Sequence, residues 1–201
     1  MAATDPDGRT VVGILLAGGT SSRFGDANKL LAELDGEPLV RHAAGTLLDA
    51  GLSAVVAVFG YEANAVGEAL AGLDVCSVRN PDYEAGLSTS VARGVEAADD
   101  AGADAVVFLP GDMPGVDPAT VALLVDAYRA GLGTALAAAH GGRRGNPVLF
   151  DRRYFEALLG VEGDGGGRSV LLGSDDAALV ETGDPGVVVD VDTTADLWRR
   201  R

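Results

Sequence analysis

The sequence predicts a single α/β domain with a Rossmann-like, three-layer fold: a mostly parallel sheet with helices on both faces. Short apolar runs rich in valine, leucine and alanine alternate with longer segments whose apolar residues recur at helical spacing. Strands that are apolar throughout are typical of parallel sheets buried on both faces. A chain of 201 residues with 47% hydrophobic residues can bury one sizeable core, so we expect residues 1–201 to form one domain.

The first two thirds of the chain contain the regular alternation. The predicted buried strands are residues 10–16, 54–59, 75–79, 105–109 and 134–139. The predicted helices between them are residues 39–50, 62–71, 88–100 and 118–130. Asp117 and Pro118 form a typical helix start, and Gly51 and Gly131 stand where helices should stop.

The pattern changes near residue 140, where turn-rich segments separate shorter elements. We expect short strands at 148–150, 179–181 and 187–191, and helices at 153–159 and 194–200. The chain shows no internal repeat and no linker. We therefore interpret residues 140–201 as an elaboration of the same domain that covers the sheet edge and shapes a second substrate site.

Composition excludes several classes of protein. The formal charge of −15 and the pI near 4.3 argue against binding to nucleic acid or to an anionic membrane. No apolar run is long enough to span a membrane, and residues 1–10 lack the apolar core of a secretory signal, so we expect a cytoplasmic protein. The single cysteine, Cys76, is expected to be a small buried residue.

The loop after the first strand, residues 15–31, has the composition of a phosphate-binding loop. Gly18 and Gly19 allow the backbone to approach a ligand closely, and Ser21 and Ser22 add hydroxyl and amide donors. The loop matches neither the dinucleotide fingerprint nor the Walker sequence. The alternative is a flexible turn in a chain with 29 glycines.

Two cations in that loop favour the phosphate interpretation. Arg23 and Lys29 lie within seven residues of each other, and Lys29 is the only lysine beside fourteen arginines. A compact ammonium on a flexible stem offers a point charge that a planar guanidinium does not. Any anionic ligand of this acidic chain needs such a positive pocket.

An aspartate follows the strand predicted at 105–109. Asp112 lies in PGDMPGV, at the carboxyl end of that strand, which is the edge where ligands bind open parallel sheets. A carboxylate there is well placed for a magnesium ion that bridges phosphates. A turn or capping aspartate explains the segment equally well.

Residues 79–91 form a third polar loop at the same expected edge. Asn80 follows a strand, and Ser88 opens a helix whose amides could meet a phosphate. Plain helix capping also explains the serine.

Two further aspartates, Asp190 and Asp192, alternate with valines in VDVDTTADL. Both should point to the same face, and one of them can join Asp112 at a metal ion. Neither histidine, His42 nor His140, has an evident catalytic partner.

Together these segments resemble the MobA-like nucleotidyltransferases. The motifs occur in order along most of the chain: LAGGTSSRFGDANKLL, NPDYEAGLSTSV, GDMPGV, RRGNPVLF, GDGGGRSVLL and VDVDTTADL. The chain is most similar to the molybdenum cofactor cytidylyltransferases, which move CMP from CTP onto the terminal phosphate of molybdopterin.

The resemblance implies a role for each motif. It assigns Arg23, Lys29 and Asp112 to catalysis, and Asp112 and Asp192 to Mg²⁺. The nucleotide-binding residues it implies, in a half spanning about 10–139, are Leu16, Ala17, Gly18, Gly19, Ser21, Ser22, Arg23, Lys29, Asn80, Ser88 and Asp112. The acceptor would lie in a half spanning about 140–201, against Asn146, Arg168 and Ser169.

The expected partners are therefore CTP or GTP, a phosphorylated small molecule such as molybdopterin, and a molybdoenzyme or chaperone that receives the product. Guanylyl transfer, or nucleotidyl transfer to a sugar phosphate or phospholactate, is the nearest alternative. A nucleotide-binding accessory protein without activity is an alternative of another class. The missing glycine fingerprint disfavours a dinucleotide-dependent oxidoreductase.

Overall fold

A computed structural model describes residues 8–20, 24 and 27–198 of the chain, without the side chains of Thr194 and Trp198. The strands in these residues are β1 Val11–Ala17, β2 Glu33–Leu34, β3 Glu37–Pro38, β4 Ala54–Phe59, β5 Cys76–Arg79, β6 Ala105–Pro110, β7 Ala135–His140, β8 Arg143–Asp151 and β9 Ala177–Glu181. The α-helices are α1 Leu39–Asp49, α2 Ala63–Ala69, α3 Leu87–Asp100, α4 Pro118–Arg129, α5 Phe155–Leu159, α6 Arg168–Gly173 and α7 Thr194–Trp198.

The central sheet confirms the predicted α/β fold. Its strand order is β5-β4-β1-β6-β8-β7-β9, with β1 parallel to both of its neighbours. Among these seven strands only β8 runs in the opposite direction, because it pairs antiparallel with both β6 and β7. The mostly parallel sheet brings the carboxyl ends of β1, β4 and β6 to one edge.

Helices cover both faces of the sheet, which gives the three predicted layers. One apolar cluster joins the odd-numbered residues of β1, such as Leu15, to α1, α2 and α4. The other joins the even-numbered residues, such as Ile14, to α3, α5 and α6. The alternation follows from the period of two along a strand. No helix in the described ranges is long and apolar enough to cross a membrane.

Two sequence-based expectations were wrong, and one short element was missed. Cys76 is exposed, because β5 is the edge strand and its residues are mostly exposed. The strand expected at 187–191 is replaced by a 3-10 helix, Pro185–Val188, followed by chain that lies outside the sheet. A short hairpin of β2 and β3 was not anticipated, although Asp35 and Gly36, both with positive φ, form the Asp-Gly turn typical of such hairpins.

Candidate active site

A cleft of about 480 Å³ opens at the carboxyl edge of the sheet. The loops after β1 and β6 both reach it, since these strands are parallel neighbours and the Gly111 amide donates to the Leu16 carbonyl at 2.9 Å. The residues that line the cleft and carry its chemistry are Gly18, Gly19, Lys29, Asp112, Asp190 and Asp192.

Lys29 lies at the centre of this cleft. It begins a 3-10 turn, Lys29–Leu31, which Asn28 caps by accepting from the Leu30 amide, and the Leu30 side chain is buried in the core. Its Nζ donates to Asp112 Oδ2 at 2.5 Å and to Asp192 Oδ1 at 3.0 Å. The lysine side chain is 15% exposed, so its ammonium interacts mainly with these two carboxylates and the cleft.

Three carboxylates converge around the ammonium. Oxygens of Asp112, Asp190 and Asp192 lie within 4.8 Å of one another. The Val191 amide donates to the Asp112 carbonyl at 2.9 Å and the Val191 side chain is fully buried, so the aspartates on either side of it point together into the cleft. The prediction that they share a face is confirmed, although the segment is extended chain outside the sheet.

The chemistry of these oxygens suits a magnesium ion. Ligand oxygens at 2.0–2.1 Å from Mg²⁺ are about 3–4 Å apart in an octahedron, and the ion prefers one or two carboxylates plus phosphate oxygens and water. Asp112 and Asp192 are half-buried, whereas Asp190 is exposed. The donor set is therefore suited to the ion, with one carboxylate more than it usually takes.

Burial and the charges in the cleft shift the pKa values of Lys29 and Asp112. Burial would lower the pKa of Lys29, but Asp112 and Asp192 outweigh it, so that pKa lies above its ordinary value. Burial raises the pKa of Asp112, and Asp190 adds to the rise against the opposing effect of Lys29. The buried carboxylate thus depends on a cation beside it, and in this structure that cation is Lys29.

The glycine loop is packed as closely as its sequence predicts. A Cβ on Gly18 would lie 2.6 Å from Ser90 Oγ, and a Cβ on Gly60 would lie 2.8 Å from Gly18 Cα. A Cβ on Gly19 would meet none of the described residues within 4 Å. Gly18 and Gly60 are therefore needed for contact between loops, whereas Gly19 borders the cleft.

The other nucleotide-site candidates are placed differently. Leu16 lines the cleft, whereas the side chain of Ala17 is buried in the core. Asn80 and Ser88 are buried away from the cleft. The Asn80 amide donates to Thr89 and Ser90, which ties the loop after β5 to α3. Ser21, Ser22, Arg23 and the end of the helix predicted at 194–200 lie outside the described residues.

Two of the three acceptor candidates line cavities. Asn146 lies at the boundary between the cleft and a smaller side cavity, and its Nδ2 donates to Met113 Sδ at 3.4 Å. Arg168 lines the side cavity, and Ser169 is exposed outside both cavities. Sequence reasoning missed Arg144, which lines both. Its signal was the double arginine two residues before Asn146.

Comparison with known proteins agrees with this geometry. Residues 13–178 match the family described as MobA-like NTP transferase domain. The chain is 33% identical to a nicotine blue oxidoreductase of Paenarthrobacter nicotinovorans, over 97% of this chain and 98% of that protein. It is 34% identical to a molybdenum cofactor guanylyltransferase of Serratia proteamaculans, over 69% of this chain and 66% of that protein.

Solved structures show the same architecture. A nucleotidyl transferase from Methanothermobacter thermautotroptrophicus has a TM-score of 0.82 at 27% identity, over 96% of each chain. Rv0371C from Mycobacterium tuberculosis H37Rv, in complex with manganese, has a TM-score of 0.72 at 25% identity, over 95% of this chain and 97% of that one. With its loops, carboxylates and lysine at one sheet edge, this chain belongs to the MobA-like NTP transferase family.

Proposed function

We propose that this protein is a magnesium-dependent nucleotidyltransferase that moves CMP from CTP onto a phosphate-bearing acceptor, molybdopterin or molybdenum cofactor, and releases pyrophosphate. One observation carries the proposal: the Lys29 ammonium lies between Asp112 and Asp192 at the carboxyl edge of the sheet, beside Gly18 and Gly19. A cation beside oxygen ligands at this edge of the sheet supports the binding of a triphosphate there.

Asp112 and Asp192 would hold the metal ion, with Asp190 as a supporting charge. When bound there, Mg²⁺ would neutralise charge that develops on the phosphate groups. The spacing of the carboxylates supports this assignment, as does the manganese complex of the M. tuberculosis relative. Lys29, released from the carboxylates, would bind the triphosphate, with Arg23 as a second cation.

In the reaction, an oxygen of the acceptor phosphate attacks the α-phosphorus in line. The new P–O bond forms as the bond between the α-phosphorus and its bridging oxygen to the β-phosphorus breaks, and pyrophosphate leaves. The protein contributes position and charge neutralisation, so no covalent enzyme intermediate is needed.

The acceptor assignment has its own support. The molybdenum cofactor guanylyltransferase of S. proteamaculans shares 34% identity with this chain. We propose that residues 140–201 form the acceptor half, that Asn146, Arg168 and Ser169 contact the acceptor, and that a molybdoenzyme or chaperone receives the product. GTP is the alternative donor.

An oxidoreductase is the second candidate, because a relative with that name is 33% identical over nearly the whole chain. The two candidates differ in what the cleft must do. Converging carboxylates and a lysine support phosphate chemistry, whereas hydride transfer requires a bound redox cofactor and no metal-type cluster.

Pyrophosphate release with each of the four common triphosphates, with and without molybdopterin, tests the proposal. We expect release only with Mg²⁺ and molybdopterin, fastest with CTP, and loss after chelation with EDTA. In parallel, absorbance at the nicotinamide band reports NADH and NADPH oxidation. No pyrophosphate with any triphosphate, or redox turnover without triphosphate, would refute nucleotidyl transfer.

A further inference from the structure

A second cavity of about 210 Å³ lies beside the main cleft. Its lining includes five apolar side chains: Val91, Phe108, Val148, Phe150 and Leu171. The rings of Phe108 and Phe150 meet edge to face, with centroids 6.1 Å apart. The cavity shares Leu16, Leu87, Pro110, Arg144 and Asn146 with the cleft, so the two spaces are adjacent. A molecule in the side cavity would therefore lie beside the cleft.

Two arginines, Arg144 and Arg168, line this cavity. Both are exposed, and in the described part of the chain neither is paired with a carboxylate, whereas Arg93, Arg152 and Arg153 each are. Burial lowers the pKa of Arg144, and the positive charge of Arg168 lowers it further. On a protein with a formal charge of −15, two like charges left beside each other indicate a place for an anion.

The segment before Arg168 packs closely against its neighbours at glycine positions. A Cβ on Gly167 would lie 2.9 Å from the Phe150 ring, and a Cβ on Gly166 would lie 2.9 Å from Leu87. On the opposite side, a Cβ on Gly86, at the start of α3, would lie 2.7 Å from the Gly163 carbonyl. Larger residues would not fit at these contacts without movement of their neighbours. Packing therefore fixes how closely this turn approaches the five apolar side chains of the cavity, which we call its apolar floor.

We propose that Arg144 and Arg168 bind the anionic group of the acceptor while the apolar floor of the side cavity takes its ring system. The acceptor is thus an aromatic or otherwise apolar phosphate monoester, held with its phosphate at the junction with the cleft. Paired guanidinium groups suit phosphate because each offers a fork of donors. This inference rests on the proposed function, since the molecule bound here is the one that attacks the α-phosphorus.

Calorimetric titration with naphthyl phosphate tests the site directly. A non-hydrolysable CTP analogue and Mg²⁺ fill the main cleft, so that the probe phosphate is kept out of it. We expect Arg144→Gln and Arg168→Gln each to weaken binding about tenfold or more, as loss of charge-assisted hydrogen bonds implies. Neutral naphthol should bind weakly and equally to all variants. Arg153→Gln, the same change in an exposed residue outside both cavities, should bind the probe as wild type does.

Acceptor kinetics separate this inference from the proposed function. Arg168 does not line the main cleft, so Arg168→Gln should raise the acceptor KM and leave the triphosphate KM unchanged. Pyrophosphate release with an unaltered acceptor KM in both variants would refute the arginine site and leave the proposed function standing. Arginine-dependent binding of naphthyl phosphate without any pyrophosphate release would support the arginine site and refute the proposed function. Failure of wild type to bind the probe at millimolar concentration also overturns the inference.

Discussion

The two halves of the molecule are built differently. Residues 10–139 form parallel strands joined by helices, and this half contains Lys29 and Asp112. In the second half, β8 is inserted antiparallel between β6 and β7, and the chain then returns to place Asp190 and Asp192 in the cleft. The first half alone has a lysine and one carboxylate of the cluster. The comparison shows that the metal-type site exists only where both halves meet.

The largest expected effect comes from the aspartate of the first half. Asp112→Ala should lower turnover about 10³-fold. The variant lacks one carboxylate ligand of the metal ion, so the ion would no longer neutralise charge in the transition state. Its midpoint of thermal unfolding should stay close to that of wild type, since burial already disfavours the Asp112 charge. Steady-state rates and calorimetry measure the two effects.

Asp117→Ala serves as the control for that variant. Asp117 caps α4 by accepting from the Ala119 amide at 2.8 Å, so its loss should lower stability by about 1 kcal/mol. Activity should be unchanged at temperatures below thermal unfolding. Normal turnover in Asp112→Ala at saturating Mg²⁺ would remove that residue from the site.

Lys29, the other first-half member, should have the next largest effect. Lys29→Ala should lose about 10²-fold in turnover, and Lys29→Arg should recover only part of it, because a planar guanidinium replaces a compact ammonium poorly between two carboxylates. Full activity in Lys29→Arg would show that charge alone matters there.

Substitution of two glycines in the first half, Gly60 and Gly19, should have different effects, one on stability and one on ligand binding. Gly60→Ala should destabilise the fold by about 1–3 kcal/mol, since its Cβ would collide with Gly18. Gly19→Ala should unfold like wild type, because the new Cβ meets no other described residue, and it should weaken triphosphate binding, because the new Cβ projects at the cleft. Urea unfolding and nucleotide titration together distinguish them; equal stability losses would contradict this division.

The second half offers a matched pair of carboxylates. Asp192→Asn should raise the Mg²⁺ concentration for half-maximal rate about tenfold or more, whereas Asp190→Asn should raise it less. Asp192 is half-buried and bonded to Lys29, while Asp190 is exposed to screening by water. A magnesium titration in which the two variants rank in the opposite order would move the metal to Asp190.

A hydrogen bond between the halves should affect stability and leave the rate unchanged. Tyr128 on α4 donates to Asp151 Oδ2 at the end of β8, at 2.8 Å, and Tyr128→Phe should cost about 1–2 kcal/mol. Burial, together with Asp151, raises the pKa of Tyr128 to about 12. This stabilisation should be complete below about pH 10, the unfolded-state value, and should be lost as the pH rises through about 12.

Urea unfolding of wild type and Tyr128→Phe at pH 8 and pH 11 measures this dependence. A stability difference that grows with pH would contradict the assignment.

Sequence patterns predicted the first half better than the second for a physical reason. Parallel strands buried on both faces are recognisable locally, and the period of two placed Asp190 and Asp192 on one face correctly without any strand to hold them. Cys76 was misjudged because strand position in the sheet, edge or centre, is set by distant pairing. Arg144 was missed because the position of β8 between β6 and β7 is set by distant pairing, which the double arginine does not reveal.

The hydrogen bond from the Val191 amide to the Asp112 carbonyl has a consequence for how this site can change. It joins the two segments that carry the acidic side chains through main-chain atoms, so replacing any of the three side chains leaves this link between the segments in place. The charge of the cleft can therefore be varied in evolution or by mutagenesis one unit at a time. Its geometry stays constant while its preference among cations and phosphates is retuned.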